Sequence, residues 1–355
     1  MADTYADERR EAYILKIRKL LKEMPPFCAE FARGMENNTS VLTRFNYLTD
    51  LKVFLKYLVE ERIDGRNTPA DVTLEDLDKL EPIDFELYMD YIGLYIKGDN
   101  TITNKENGKA RKLASLRSLY KYFNKKGKLS KNPVALLETP KIYKKVITRL
   151  EANEVADMLD IVESGSGLSK RQQKYHELTE KRDLAIITVF LGSGIRISEL
   201  VGLNISDVNF MTNEFVITRK GGNQDVLPFG AEIRTALLDY MTERENIITL
   251  EGSEDALFLS MQRKRISVRA VENLVKKYAI VASPLKKISP HKLRSTYGTM
   301  LYQETGDIYL VADVLGHKDV NTTRKHYTTI ELERKREAAK AIKLREETDM
   351  NKADD

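Results

Sequence analysis

Apolar residues recur every three or four positions through much of the first 125 residues, which predicts a series of amphipathic helices. The clearest helix begins after Ser40, a residue type that caps helices, and is predicted over Val41–Glu61. Further helices are predicted over residues 9–23, from Thr73, over 82–96 and over 108–125. Because no segment here alternates convincingly between apolar and polar residues, we expect a helical N-terminal domain, residues 1–138, with an extra N-terminal helix.

The second half combines helical periodicity with one predicted β-hairpin. Residues 183–191 are apolar on nearly all sides, which is typical of a helix buried in a core. Two short apolar segments flank Gly221 and Gly222 and predict strands joined by a glycine turn. Further helices are predicted over residues 232–244, over 268–281 and from Ser289-Pro290. The fold class is therefore mainly α with a small β-hairpin or sheet in the C-terminal domain (α+β).

Basic residues are concentrated between positions 101 and 149. Fourteen Lys and Arg residues face only Glu106 and Glu138 there, whereas the remainder of the +4 chain is net acidic. This segregation favours contacts with a phosphate backbone, because neutralised phosphates release counterions, although a solvated helix face followed by a basic linker is the simpler alternative. Residues 139–147 are the predicted linker. The candidate nucleic-acid contacts are Lys109, Arg111, Lys112, Arg117, Lys121, Lys144 and Lys145.

Composition excludes several other classes of protein. The single cysteine, Cys28, excludes an internal disulfide framework, and only four histidines argue against a histidine-rich metal site. No apolar run reaches the roughly 18 residues that a membrane span needs. The N-terminus lacks the basic-then-apolar pattern of a signal peptide, so we expect a cytoplasmic protein with no membrane partner.

Several residues that suit phosphate chemistry lie in the second half. Arg196 follows a Gly-Ser-Gly loop, and Lys220 precedes the glycine turn. His291 and Arg294 share one face at a helix start, where free amides favour anions. Taken alone, each of these residues is explained as readily by an ordinary surface or structural role. The same holds for any one of the seventeen tyrosines.

Four sequence strings occur together in one order: GSGIRISEL, TRKGGNQDVLPF, SPHKLRSTYGT and LGHKDVNTTRKHY. In order and separation they resemble the catalytic domain of tyrosine recombinases, the phage integrase family. The resemblance is closest to the Xer type, and within it to single-protein, XerS-like recombinases. It implies a catalytic domain over residues 148–355, and the helical half is similar to the family's core-binding domain.

The resemblance implies a role for each matching residue. Tyr327 matches the nucleophile that forms a 3′-phosphotyrosyl bond. Arg196 and Arg294 match the arginines that bind the non-bridging oxygens, and Lys220 matches the lysine that protonates the leaving 5′ oxygen. The remaining matches are His291 for proton transfer, His317 for phosphate binding and Glu199 for support of the pocket.

The chemistry agrees with this assignment. Phosphoryl transfer gathers negative charge on oxygen, and two guanidinium groups can neutralise it, so we expect no metal and no cofactor. A phenol with a pKa of about 10 needs a neighbouring base and a cationic site to act as a nucleophile. Two positions depart from the family pattern. Ser295 replaces a frequent histidine, and Tyr327 lies ten positions after His317, where the spacing in many Xer proteins is nine.

The leading hypothesis is a site-specific DNA recombinase that resolves chromosome dimers. The alternatives are integration and excision of a mobile element, a non-cleaving DNA-binding accessory protein, and a type IB topoisomerase-like enzyme. The charged tail, residues 331–348, is predicted to form a helix with a narrow apolar stripe. The resemblance implies that this helix packs into a neighbouring protomer, within a homotetramer assembled on two double-stranded DNA sites. It also leaves a septal DNA translocase as a further partner.

Overall fold

The computed structural model describes residues 5–142, 148–219, 222–316 and 320, without the side chain of Lys97. The chain divides into two compact units, Met1–Lys145 and Val146–Asp355. The described residues are mainly helical with two small antiparallel sheets, which confirms the predicted fold class. No helix in the described part of the chain is long and apolar enough to cross a membrane.

The N-terminal unit is built around one long helix that packs against the first and last helices of the unit. Its elements are α1 (Tyr5–Leu21), α2 (Pro26–Gly34), α3 (Val41–Glu61), α4 (Leu74–Lys79), α5 (Pro82–Tyr91), β1 (Leu94–Lys97), β2 (Asn100–Thr103) and α6 (Glu106–Lys125). The start of α3 is fixed by Ser40, whose side chain accepts a hydrogen bond of 3.2 Å from the backbone of Thr43. The predicted bounds of α3 are confirmed.

A β-hairpin replaces the end of one predicted helix. The helix predicted over residues 82–96 ends at Tyr91, and β1 and β2 then pair from Leu94 with Thr103 to Lys97 with Asn100. Gly98, at the turn, has a φ of 58°, a conformation that favours glycine. The prediction that this half lacks strands was wrong, because a four-residue strand is too short to show a clear alternation.

The C-terminal unit surrounds one buried helix, α9, which packs against α7, α11 and α13. The elements are α7 (Ala152–Ser164), α8 (Lys170–His176), α9 (Glu180–Ser193), α10 (Ile197–Gly202), β3 (Val208–Asn209), β4 (Glu214–Thr218), β5 (Gln224–Pro228), α11 (Ala231–Arg244), α12 (Val268–Ala282), α13 (Pro290–Thr305) and α14 (Ile308–Val314). The predicted hairpin is confirmed as β4 and β5, and β3 extends it to three strands in the order β3-β4-β5.

One basic residue of α6 lies inside the N-terminal unit. Lys112 is only 5% exposed, and its Nζ lies 3.3 Å from Oδ1 of Asp50 on α3. Arg111 donates to the other oxygen of the same carboxylate. Burial raises the pKa of the Asp50 carboxyl above its usual value, against the opposing effect of the two cations. Lys112 is therefore an interior ion-pair residue and does not have the surface position that a phosphate contact requires.

Candidate active site

The turn after α9 places Arg196 at the start of the next helix. Gly194 ends α9 with a φ of 62°, and Arg196 is the N-cap of α10. A Cβ atom at Gly194 would lie 2.3 Å from Cδ1 of Tyr297 on α13. Backbone conformation and close packing therefore both require glycine at this position. The predicted Gly-Ser-Gly loop is thus mostly helix, since α9 includes Gly192 and Ser193, and Gly194 alone makes the turn before the arginine.

The guanidinium group of Arg196 is fixed by a carboxylate and by backbone carbonyls. Its Nη1 donates to Oε1 of Glu199 over 2.8 Å, and its Nη2 donates to the carbonyls of Leu315 and Gly316 over 3.0 and 2.8 Å. The other carboxylate oxygen of Glu199 accepts from the backbone N–H of Arg196. Glu199 is nearly buried, whereas the Arg196 side chain is 31% exposed. Glu199 thus orients the Arg196 guanidinium from the buried side and leaves part of the Arg196 side chain accessible to solvent.

Arg294 meets Arg196 at one backbone carbonyl. Arg294 is buried in α13, and its Nη1 and Nη2 donate to the carbonyls of Gly194 and Leu315 respectively. The Leu315 oxygen therefore accepts hydrogen bonds from both arginines. The fold thus brings Arg196, Glu199 and Arg294 together around the turn that follows α14.

Of the other predicted catalytic residues, only His291 lies in the described part of the chain. His291 lies in the first turn of α13 with an exposed side chain, and its carbonyl accepts from Ser295 Oγ over 3.0 Å. The Ser295 hydroxyl thus bonds to its own helix. The predicted residues outside the described part of the chain are Lys144, Lys145, Lys220, His317, Tyr327 and the tail helix, residues 331–348.

The basic residues of α6 that were predicted to contact nucleic acid differ in accessibility. Arg111 and Lys121 are exposed, and Lys109 is partly exposed. Arg117 donates to Oγ1 of Thr139 over 2.7 Å and to the carbonyl of Leu137. Arg117 therefore holds the segment around Leu137 and Thr139 against α6, whereas Lys121 lies on the exposed side of the helix.

Sequence reasoning missed two residues beside the arginine pair. Arg219 lies with its Nη1 3.5 Å from Oε2 of Glu199 and donates through Nη2 to the Val314 carbonyl over 3.1 Å. The available signal was its position next to Lys220. Burial raises the pKa of the Tyr297 phenol, and the charge of Arg294 opposes this shift only in part. Tyr297 is therefore protonated at neutral pH and acts as a packing residue.

This arrangement is suited to binding an anion. Glu199 offsets one of the two positive charges, whereas the carbonyl oxygens that hold Arg196 and Arg294 carry no net charge, so the cluster keeps a net positive charge. A guanidinium presents several donors in one plane, which matches the oxygens of a phosphate group. Among the residues that the structure describes, no group of three or more His, Cys, Asp or Glu side chains could hold a metal ion.

Comparison with known proteins assigns the chain to a family. Residues 148–334 match the phage integrase family. The chain is 32% identical over 321 residues to the tyrosine recombinase XerC of Syntrophus aciditrophicus, which covers 88% of this chain and 95% of the relative. It is 30% identical over 351 residues to the tyrosine recombinase XerS of Lactococcus lactis, which covers 92% of this chain and 98% of the relative. The chain belongs to the phage integrase family.

This family member is a tyrosine recombinase, a DNA-binding enzyme that transfers DNA strands, and its relatives place it with the Xer type, as predicted. Its fold is similar to that of XerH bound to a palindromic difH substrate, with a TM-score of 0.66 and 19% identity over 93% of this chain and 89% of XerH. It is also similar to the Tn1549 transposon integrase in complex with transposon right end DNA, with a TM-score of 0.56 and 19% identity over 88% of this chain and 99% of the integrase.

Substitution of Gly194 tests the close packing of this site in the recombinase. Gly194→Ala should lower the free energy of unfolding by the roughly 1–2 kcal/mol of a left-handed residue, and by about 1–3 kcal/mol more because its Cβ displaces Tyr297. Gly252→Ala is the matched control, since Gly252 has a φ of 79° and nothing within 4 Å of its Cβ position. Urea unfolding followed by circular dichroism measures both variants. Equal losses would contradict the packing described here.

Proposed function

We propose that this recombinase cuts and rejoins DNA at specific sites through a 3′-phosphotyrosyl intermediate at Tyr327, and that it resolves chromosome dimers. The observation that carries the proposal is the Leu315 carbonyl, which accepts from both Arg196 and Arg294. Two guanidinium groups therefore meet at the start of the segment that continues to His317 and Tyr327.

The arginine pair supplies the electrostatic part of the mechanism. The Tyr327 oxygen attacks phosphorus, the bond from phosphorus to the 5′ oxygen breaks, and charge gathers on the non-bridging oxygens. Arg196 and Arg294 donate to those oxygens and remain protonated throughout, because arginine does not lose its proton in proteins. Their orientation by Glu199 and by carbonyls exists before the reaction, and the loss of one such donor typically costs about 10²–10³ in rate.

Two further residues handle the protons. His291 accepts the proton of the Tyr327 phenol, and Lys220 gives a proton to the leaving 5′ oxygen. His317 donates a hydrogen bond to the phosphate. The phosphotyrosyl ester replaces the broken phosphodiester, so the 5′ hydroxyl of a second strand can attack it and reverse the chemistry without ATP.

Exposed cations of the N-terminal unit hold the DNA backbone. Arg111 and Lys121 lie on the solvent side of α6, with Lys109 partly exposed, and the basic segment with Lys144 and Lys145 follows in the sequence. These side chains bind phosphates and thereby fix the position of the enzyme on the duplex. Lys112 is not among them, because it is buried beside Asp50.

The active enzyme is an assembly of several copies of this chain. A homotetramer on two DNA sites, joined by the tail helix, carries out the exchange, and a septal DNA translocase is its partner in the cell. The full-length similarity to proteins named XerC and XerS supports chromosome-dimer resolution. Integration and excision of a mobile element is the second candidate, which the ten-residue spacing from His317 to Tyr327 favours.

Covalent trapping tests the proposed nucleophile. The substrate is a DNA duplex with a nick close to the cleavage position, so that cleavage releases a short fragment with the 5′ hydroxyl and rejoining cannot follow. The wild-type protein should then accumulate a covalent protein–DNA adduct in the presence of a chelator. Tyr327→Phe should form no adduct, because it lacks the attacking oxygen. Tyr297→Phe is the matched control and should still form it. An adduct with Tyr327→Phe, or loss of the wild-type adduct on chelation, would contradict the proposal.

The salt dependence of DNA binding tests the assignment of the α6 cations. Lys121→Ala should lower the slope of log affinity against log salt by about 0.9, because one phosphate contact is lost. Lys112→Met is the buried counterpart on the same helix and should leave this slope unchanged. Fluorescence anisotropy over a salt series measures both. A smaller slope for Lys112→Met, or an unchanged slope for Lys121→Ala, would reverse the assignment.

A further inference from the structure

The side chain of Arg219 joins three segments of the C-terminal unit. Its Nε donates to Oδ2 of Asp225 over 2.9 Å, within the β4–β5 hairpin. Its Nη2 donates to the carbonyl of Val314 over 3.1 Å, at the end of α14, and its Nη1 lies 3.5 Å from Oε2 of Glu199 on α10. The Arg219 side chain is only 12% exposed. One guanidinium group thus ties the hairpin to both elements that hold Arg196.

The backbone of Arg219 is fixed as well. Its N–H donates to the carbonyl of Asn223 over 2.8 Å, and its carbonyl accepts from the N–H of Gly222 over 3.1 Å. Lys220 follows Arg219 directly in the sequence. The chain that leads into Lys220 is therefore anchored by side-chain and backbone bonds of the preceding residue.

The fit of the guanidinium against the turn after α14 is close. A Cβ at Gly316 would lie 2.9 Å from Cζ of Arg219, and Gly316 has a φ of 56°. Only glycine allows the backbone to approach the guanidinium in this way. Glu199 completes the arrangement, because one of its oxygens binds the Arg196 side chain and the other faces Arg219. Arg219 thereby fixes the hairpin relative to Arg196.

We propose that Arg219 is a positioning residue for protonation of the leaving group. The inference rests on the proposed function, in which Lys220 gives its proton to the 5′ oxygen as the bond from Tyr327 to phosphorus forms and the bond to the 5′ oxygen breaks. Loss of Arg219 removes the side-chain bonds that hold the turn end of the hairpin against Glu199 and the Val314 carbonyl, and we expect this to displace Lys220. Arg196 and Arg294 keep their carbonyl acceptors. Because these acceptors do not involve Arg219, we expect the main defect of the variant in the proton given to the leaving oxygen.

The test uses two nicked substrates that differ in one atom, the bridging 5′ oxygen or a sulfur in its place. A thiol has a pKa of about 8.5 and leaves as a thiolate without needing a proton. Arg219→Gln should cleave the oxygen substrate about 100-fold more slowly than the wild type, since a displacement of about 1 Å can cost this much. It should cleave the sulfur substrate at the wild-type rate, and Lys220→Ala should show the same pattern.

Two further variants separate positioning from stability. Arg219→Lys keeps the charge but loses the planar fork, so it should fall between the wild type and Arg219→Gln on the oxygen substrate. If thermal unfolding shows that Arg219→Gln does not fold, the comparison of the two substrates is made with Arg219→Lys. Arg244→Gln is the matched control, because Arg244 is also buried and donates to the carbonyls of Glu254 and Ala256. Any effect of Arg244→Gln should be equal on the two substrates.

The outcomes distinguish this inference from the proposed function. Arg219→Gln that cleaves the oxygen substrate at the wild-type rate, or that is slowed equally on both substrates, would overturn the positioning role. A wild-type protein that forms no adduct at Tyr327 would instead overturn the proposed function, whatever Arg219 does.

Discussion

The active-site geometry depends on one acceptor, the carbonyl oxygen of Leu315, which receives hydrogen bonds from Arg196 and Arg294. Arg196 begins α10 and Arg294 lies in α13, so this oxygen joins two helices at the end of a third, α14. The turn at Gly194 contributes a second carbonyl to Arg294 and allows Tyr297 to pack closely. Moving any of these elements would separate the two guanidinium groups.

Neutral acceptors suit a site that must bind a charged phosphate. A carboxylate beside each arginine would hold it equally well but would cancel the charge that the reaction needs. Here the carboxylate of Glu199 lies between Arg196 and Arg219, and the remaining bonds of Arg196 go to carbonyls. Three arginines against the two carboxylates of Glu199 and Asp225 leave a net positive charge, in an orientation set before DNA binds.

The features that could be predicted from sequence are local ones. Ser40 and the apolar stripe after it define α3, and glycines between two short apolar segments define the β4–β5 hairpin. The β1–β2 hairpin was missed because its strands are short and its apolar residues continue a helical stripe. The burial of Lys112 depends on Asp50, which lies far away in the sequence, and no periodicity shows such a contact. The three-segment contact of Arg219 was missed for the same reason.

The site residues were predicted through the resemblance of four strings to a family. The structure brings Arg196, Glu199 and Arg294 together, while four further places in the site stay predictions, those of Lys220, His291, His317 and Tyr327. The physical reason is that short strings fix residue types, whereas the meeting of distant residues depends on how helices pack.

The central claim is that the arginine pair neutralises the scissile phosphate, and a change in substrate charge tests it most directly. A methylphosphonate at the cleavage position replaces one charged oxygen with a methyl group and removes the charge that needs neutralising. Arg294→Ala should cleave the natural phosphodiester about 10²–10³-fold more slowly than the wild type, yet cleave the methylphosphonate nearly as fast as the wild type does. An equal loss on both substrates, or no loss on the natural one, would contradict the claim.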